Sequence, residues 1–231
     1  MPDSLLKNTL KNFNSLLRQY TDRHTVRNIL YMSAAIILFM FGVIVYGVIL
    51  NTREVPLSEA MLEKGFSKLK HPSIRIHRAS YILELYEDST LVKSYRVSFG
   101  RNVHKLKSKA GDEATPVGTY VVCSIDTGYK FNKFFRLNYP NISDASDALR
   151  KEWITQAQFD QIKTEINNGE CPAFNNILGG NIGIHGIGRL NFIIKNLPFV
   201  YNWTGGSIAM SDEDIDELYT VIKVGCKVVI N

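Results

Sequence analysis

The chain has 231 residues, 27 Lys and Arg against 22 Asp and Glu for a net charge of +5, and 45% hydrophobic residues. This is enough apolar material for one substantial core, and with only 7 Pro and no low-complexity run it excludes the disordered and collagen-like classes. Five of the cations and two of the acids fall in the first 28 residues, so only +2 remains from Ile29 onward; no Lys/Arg stripe with interleaved aromatics is left, and nucleic acid is not an expected partner.

In residues 1–28, Leu6, Leu10, Phe13, Leu17 and Tyr20 recur every four or three positions, which places them on one helix face and defines a basic amphipathic tail. Such a tail suits the inner membrane surface, self-association with a second copy, or a short helix without a specific partner. Ile29 to Leu50 then runs 22 residues without a charge, long enough to cross a bilayer as a helix. Lys7, Lys11, Arg18, Arg23 and Arg27 precede it and only Arg53 and Lys64 follow closely, so the amino end is expected in the cytoplasm and the carboxyl-terminal part outside it. The run exceeds the apolar length of a signal peptide and Leu50-Asn51-Thr52-Arg53 has no small-residue cleavage pattern, which reads as an uncleaved membrane anchor.

Residues 51–72 read as a tether with a short helix near Leu57–Lys64, and the folded domain is expected over 73–231. Three β-rich runs open it, Ile74–His77, Tyr81–Tyr86 and Leu91–Val97. Turn chemistry fills Ala110–Thr119, a strand follows from Tyr120 to Ile125, and helices suit Thr155–Asn167 and Asp212–Val224, the second capped by Ser211. Val228–Ile230 makes a last strand, for a β-dominated α+β domain. Cys123, Cys171 and Cys226 have no C-x-x-C spacing; Cys123 and Cys226 are expected as small buried hydrophobes, with neither a metal site nor a disulfide framework indicated. No dinucleotide, P-loop or H-E-x-x-H motif is present, so no cofactor is expected.

Chemistry concentrates in Gly179–Gly188, which contains His185 between glycines, and in Asn202–Ser211, which contains Gly205-Gly206-Ser207. A glycine-flanked histidine and a serine after two glycines form a weak nucleophile and base signal, against the plain reading of two turns and a solvated serine. Together with Gly111–Tyr120, Leu137–Asn141, Ile184-His185-Gly186 and Gly225–Ile230, these segments resemble, in order, the blocks of the YkuD-like L,D-transpeptidases, from about Ser73 to Asn231.

The resemblance implies a mostly β catalytic domain that acts on peptidoglycan stem peptides, its cysteine attacking a carbonyl, expelling D-alanine and passing the acyl group to an amine. It makes His185 the base or thiolate partner, and places backbone N–H groups of Gly206 and Ser207, with Gly186 beside them, around the oxyanion. This chain departs from the family at the nucleophile, where Ser207 stands for cysteine, and has Gly205 where many members carry histidine. Four readings follow: a slow serine acyltransferase, a serine introduced in place of a natural cysteine, a non-catalytic peptidoglycan-binding descendant, or a membrane-anchored protein-interaction domain.

Overall fold

The computed structural model describes residues 11–12, 23–51, 55–173 and 177–231. Most of the basic amphipathic tail therefore lies outside the described residues. Helix α1 (Arg23–Asn51) contains the uncharged run, and its stretch Arg23–Ile49 is long and apolar enough to cross a membrane, with its side chains almost wholly exposed.

Helix α2 (Leu57–Glu63) follows within a few residues, and it is part of the folded body rather than of a free tether. Leu57, Met61 and, beyond it, Leu69 belong to the main core, and the Leu57 N–H donates to Glu217 Oε1 at 3.0 Å while Lys93 Nζ donates to Glu217 Oε2 at 2.5 Å. The apolar positions at a spacing of four explain this: Leu57 and Met61 give α2 one buried face, with Glu59 and Glu63 on the exposed side.

The eight strands are β1 (Pro72–His77), β2 (Ile82–Glu87), β3 (Thr90–Arg96), β4 (Gly118–Tyr129), β5 (Asn132–Leu137), β6 (Gly183–His185), β7 (Ile208–Ala209) and β8 (Lys227–Ile230). Their order in the sheet is β3-β2-β1-β8-β4-β5-β6-β7, with β1 and β8 parallel, β6 and β7 parallel, and the other neighbours antiparallel. The chain leaving β3 pairs Ser98 with Ala209, so the two ends of the order meet and the sheet curls closed. Alternation sets the core: Ile74, Ile76, Leu83, Leu85, Phe135, Ile184, Ile208 and Val228 point inward from their strands and are fully buried.

Helices α3 (Ile142–Arg150) and α4 (Gln156–Asn167) form an excursion between β5 and β6 with a small core of its own, centred on Ala145, Ala148, Ile154, Ile162 and Leu178. Each starts with a capping box, Asn141 with Asp144 and Thr155 with Gln158. After β6 come a 3-10 turn (Gly188–Leu190) and the short helix α5 (Asn191–Ile194), and after β7 comes α6 (Asp212–Val221), whose cap Ser211 accepts from the Asp214 N–H at 3.0 Å.

The cysteine reading needs correction. Cys123 on β4 and Cys171 after α4 form a disulfide, while Cys226 is the buried free thiol, pushed up to about 12 by desolvation and held as a neutral hydrophobe. Forty-eight residues separate the bonded pair, and only the return of the helical excursion along β4 and β5 brings them together, a proximity that spacing does not encode. Arg136 from β5 helps hold that return, donating to Pro172 O at 2.6 Å. Closing a loop of this length constrains the unfolded chain, so Cys171→Ala should lower the unfolding free energy by about 2–4 kcal/mol. Denaturant titration with and without reductant measures it, and the wild type under reducing conditions should approach the variant.

Candidate active site

Two short parallel strands build the site. Ile184 of β6 is paired with Ile208 of β7, and both point into the core. His185 is paired with Ala209 one step on, so Gly183, His185 and Ser207 share the opposite face. Strand spacing and rise put His185 and Ser207 roughly 8 Å apart at Cα on that face. The chain thus brings together two residues that the sequence separates by a long loop. Gly183, directly across from Ser207, donates its N–H to Ser207 Oγ at 3.3 Å, which leaves the hydroxyl proton free to point elsewhere.

His185 is 3% exposed, and its Nδ1 lies 2.6 Å from Gly186 O. A carbonyl only accepts, so Nδ1 carries the proton and Nε2 keeps the lone pair. This backbone carbonyl does the orienting work for which the sequence offered no carboxylate. Phe131 stacks on the imidazole with centroids 5.2 Å apart, and Trp203 meets it edge-on at 5.6 Å. Phe131 comes from the tip of the β4–β5 hairpin, which is tied to α6 by Asn132 Nδ2 donating to Asp216 Oδ1 at 2.8 Å and by the Lys133–Asp216 ion pair. Desolvation in this apolar setting lowers the His185 pKa to about 4, with the nearby Lys130 charge acting in the same direction against the Gly186 hydrogen bond. The imidazole is neutral near pH 7.

Glycine is required at two points. At Gly186 a Cβ would sit 2.4 Å from Asp212 Oδ1 and 2.7 Å from Phe131 O. Gly206 has φ +129 and a Cβ there would approach Ala114 O to 2.8 Å. The Gly206 N–H, expected to face an oxyanion, donates to Thr204 Oγ1 at 3.2 Å, and the same hydroxyl donates to Ser207 O at 2.5 Å. Gly206 therefore acts as a spacer in a turn closed by Thr204. Gly205, at the position of the family's histidine, has open space around it.

Behind this turn lies the block Gly111–Tyr120. Asp112, almost fully buried, receives Lys107 Nζ at 2.7 Å and the N–H groups of Ser108, Lys109 and Ala114. Burial opposes its ionisation, yet the ammonium and the three amides outweigh it and hold the carboxyl well below the usual range. The loop pinned in this way carries Ala114 against Gly206. Asn202 explains its amide, accepting from the Phe99 N–H at 2.9 Å and donating to Tyr81 OH at 3.2 Å.

Asp212 was not visible as a site residue, because an acid following Ser211 reads as ordinary helix-start chemistry. Its Oδ1 accepts from the N–H groups of Ile187 and Gly188 at 2.8 and 2.9 Å and so clamps the turn that follows His185. Among the described residues no group of three His, Cys, Asp or Glu side chains could hold a metal ion.

A family model for the YkuD L,D-transpeptidase catalytic domain matches residues 71–230. The chain belongs to this family. Solved structures similar to its YkuD domain include an L,D-transpeptidase from Xylanimonas cellulosilytica, with 14% identity over 77% of this chain and 70% of that one and a TM-score of 0.39. The helical cell shape determining protein Pgp2 from Campylobacter jejuni shows 18% identity, 76% and 55% coverage and a TM-score of 0.44. Bdellovibrio bacteriovorus Bd1075 shows 17%, 71% and 48%, with a TM-score of 0.43. The chain spans about half the length of these last two. No curated protein matches the sequence.

Two outcomes follow for the YkuD site. The folded His185 resists protonation that the unfolded chain accepts near pH 6.5, so its stabilising contribution is complete above that pH and is lost as pH falls toward 4, by an amount of order 3 kcal/mol. Urea unfolding across this range should show the decline, and His185→Gln, which keeps a donor for Gly186 O, should flatten it. Asp212→Ala should lower stability by about 1–3 kcal/mol by stranding the Ile187 and Gly188 amides, and hydrogen exchange should accelerate at those two residues first.

Proposed function

We propose that this protein is a membrane-anchored acyltransferase of the L,D-transpeptidase type that acts on peptidoglycan stem peptides through Ser207 and His185. The organisation that goes with this reading is a cytoplasmic tail over residues 1–28, an anchor over 29–50 and a catalytic region over 73–231, with the YkuD domain on the extracytoplasmic side. The Cys123–Cys171 disulfide supports that side, since such bonds persist in oxidising compartments.

The observation that carries the proposal is the tautomer of His185. With Nδ1–H committed to Gly186 O, the neutral Nε2 is a base on the same face as a hydroxyl whose oxygen is already held by Gly183. Serine needs such a base, because an alcohol stays protonated until attack, whereas a thiol is already partly ionised at neutral pH. In the first half-reaction Ser207 Oγ bonds to the donor carbonyl carbon as its proton passes to His185 Nε2. That proton then leaves on the amine of the expelled D-alanine, giving a seryl ester. In the second half an acceptor amine bonds to the ester carbonyl, and Ser207 Oγ takes a proton back through His185. The family resemblance assigns the Ser207 N–H as the remaining backbone donor to the oxyanion.

A second reading, a peptidoglycan-binding domain without turnover, is favoured by one feature. The Gly206 amide is engaged by Thr204, so the oxyanion has one donor fewer than the family resemblance implies. The expected outcome separates the two. Full-length protein incubated with a stem tetrapeptide should gain the mass of an acyl adduct slowly, Ser207→Cys should form it faster by orders of magnitude, and His185→Ala should remove most of that gain. A folded Ser207→Cys variant that binds glycan and forms no adduct, with tetrapeptide or with a carbapenem, would leave the binding reading in place.

A further inference from the structure

The connection between His185 and Ser207 carries an apolar surface that the site does not use. From Gly188 to Tyr201 it has two cations, Arg189 and Lys195, and no acid. Leu190, Phe192, Ile193, Phe199 and Tyr201 are 55%, 61%, 48%, 57% and 53% exposed. Single exposed hydrophobes are ordinary, but five along one short connection make a patch.

Apart from Arg189, polar groups of the same segment bond to the domain. Lys195 pairs with Glu213, Asn191 Nδ2 donates to Glu213 Oε2 at 2.9 Å, and Arg96 donates to Leu197 O at 3.0 Å. The loop is thus held to the body by its polar atoms and left with its apolar ones outside.

Its height is set by α1. A Cβ on Gly47 would fall 1.9 Å from Asn196 O, so the helix and loop backbones are in contact there. Gly47 lies three residues before the end of the uncharged run at Leu50, or about 4.5 Å of helix. Tyr46 and Ile49, flanking the contact, are 57% and 51% exposed, so the helix carries exposed apolar side chains next to where the loop touches it.

We propose that residues 188–201 form a membrane-contacting segment, seated in the headgroup and outer acyl region of the leaflet from which α1 emerges. Aromatic and aliphatic side chains suit that boundary; Lys195 is neutralised by Glu213, and Arg189, exposed beside the patch, meets lipid phosphates. Because this loop joins the two site strands, its seating also fixes the orientation of His185 and Ser207 above the bilayer. The proposal rests on the anchor reading of α1 and not on turnover at Ser207.

The test uses the full chain reconstituted in phosphatidylcholine and phosphatidylglycerol vesicles, with Phe192→Cys carrying a polarity-sensitive thiol dye. Cys226 is buried and the other two cysteines are bonded, so the dye goes to the new thiol. Trp153→Cys, exposed on the α3–α4 excursion, is the reference. The Phe192 probe should be quenched several-fold more than the reference by lipids brominated near the top of the acyl chain, and several-fold less by aqueous iodide. Ile193→Asp should reduce the lipid quenching at least twofold with an unchanged thermal unfolding curve. Equal iodide quenching at both positions, in a chain that resists carbonate extraction, would overturn the proposal while leaving the anchor intact. Shielding from iodide without lipid quenching would also overturn it, by placing a protein or a second copy on the patch. A chain extracted by carbonate would remove the anchor reading itself.

Discussion

The parallel pairing of β6 with β7 is the constraint on which the rest of the domain depends. The two strands share only the pairs Ile184 with Ile208 and His185 with Ala209. Because side chains alternate, those pairs sort the strands into a core face of isoleucines and a site face of Gly183, His185 and Ser207. A slip of one residue would exchange the faces, putting an imidazole in the core and an isoleucine in the site. Such short strands cannot hold register unaided. Asp212 clamps one end through the turn after His185, Thr204 closes the turn before β7, and the Asp112 loop backs Gly206. Ser98, exchanging backbone hydrogen bonds with Ala209, completes the frame from the far edge of the sheet.

Much of this was legible in the sequence where one face of an element is buried and the other is not. The strands β1 and β2 alternate cleanly, and α4 and α6 announce themselves by their caps and apolar spacing, whereas β3 buries Val92 and Tyr95 three residues apart across a register shift with β2. Strand β5 is less legible because Phe134 and Phe135 are both buried, one on the site face and the other in the core, which erases the alternation. Helix α3 buries only alanines, so its periodicity carries no large side chains to reveal it. His185 and Ser207 could be named from the glycine-rich blocks they sit in, of which Gly186 and Gly206 answer a local steric need while Gly205 has open space around it. Asp212 and Phe131 could not, since their roles exist only after β6, α6 and the β4–β5 hairpin have converged.

Electrostatically, the site is an apolar enclosure in which, among the described residues, Lys130 is the one charge acting on the imidazole. The imidazole sits among aromatic rings, and the carboxylates of Asp212 and Asp216 on α6 spend their oxygens on backbone amides, Asn132 and Lys133. That arrangement keeps His185 neutral and its tautomer single without any acidic partner. A backbone carbonyl is a modest orienting group compared with a carboxylate, because it fixes direction and adds no full charge to stabilise imidazolium.

The Cys123–Cys171 bond makes the stretch that includes β5, α3 and α4 a closed covalent ring. A peptide bond cut anywhere inside that ring leaves both new ends attached to the same molecule. The excursion that rises from the sheet, with exposed Trp153 at its turn, can therefore be nicked in a protease-rich surrounding without shedding either β4, which leads to the hairpin over His185, or the two site strands that follow.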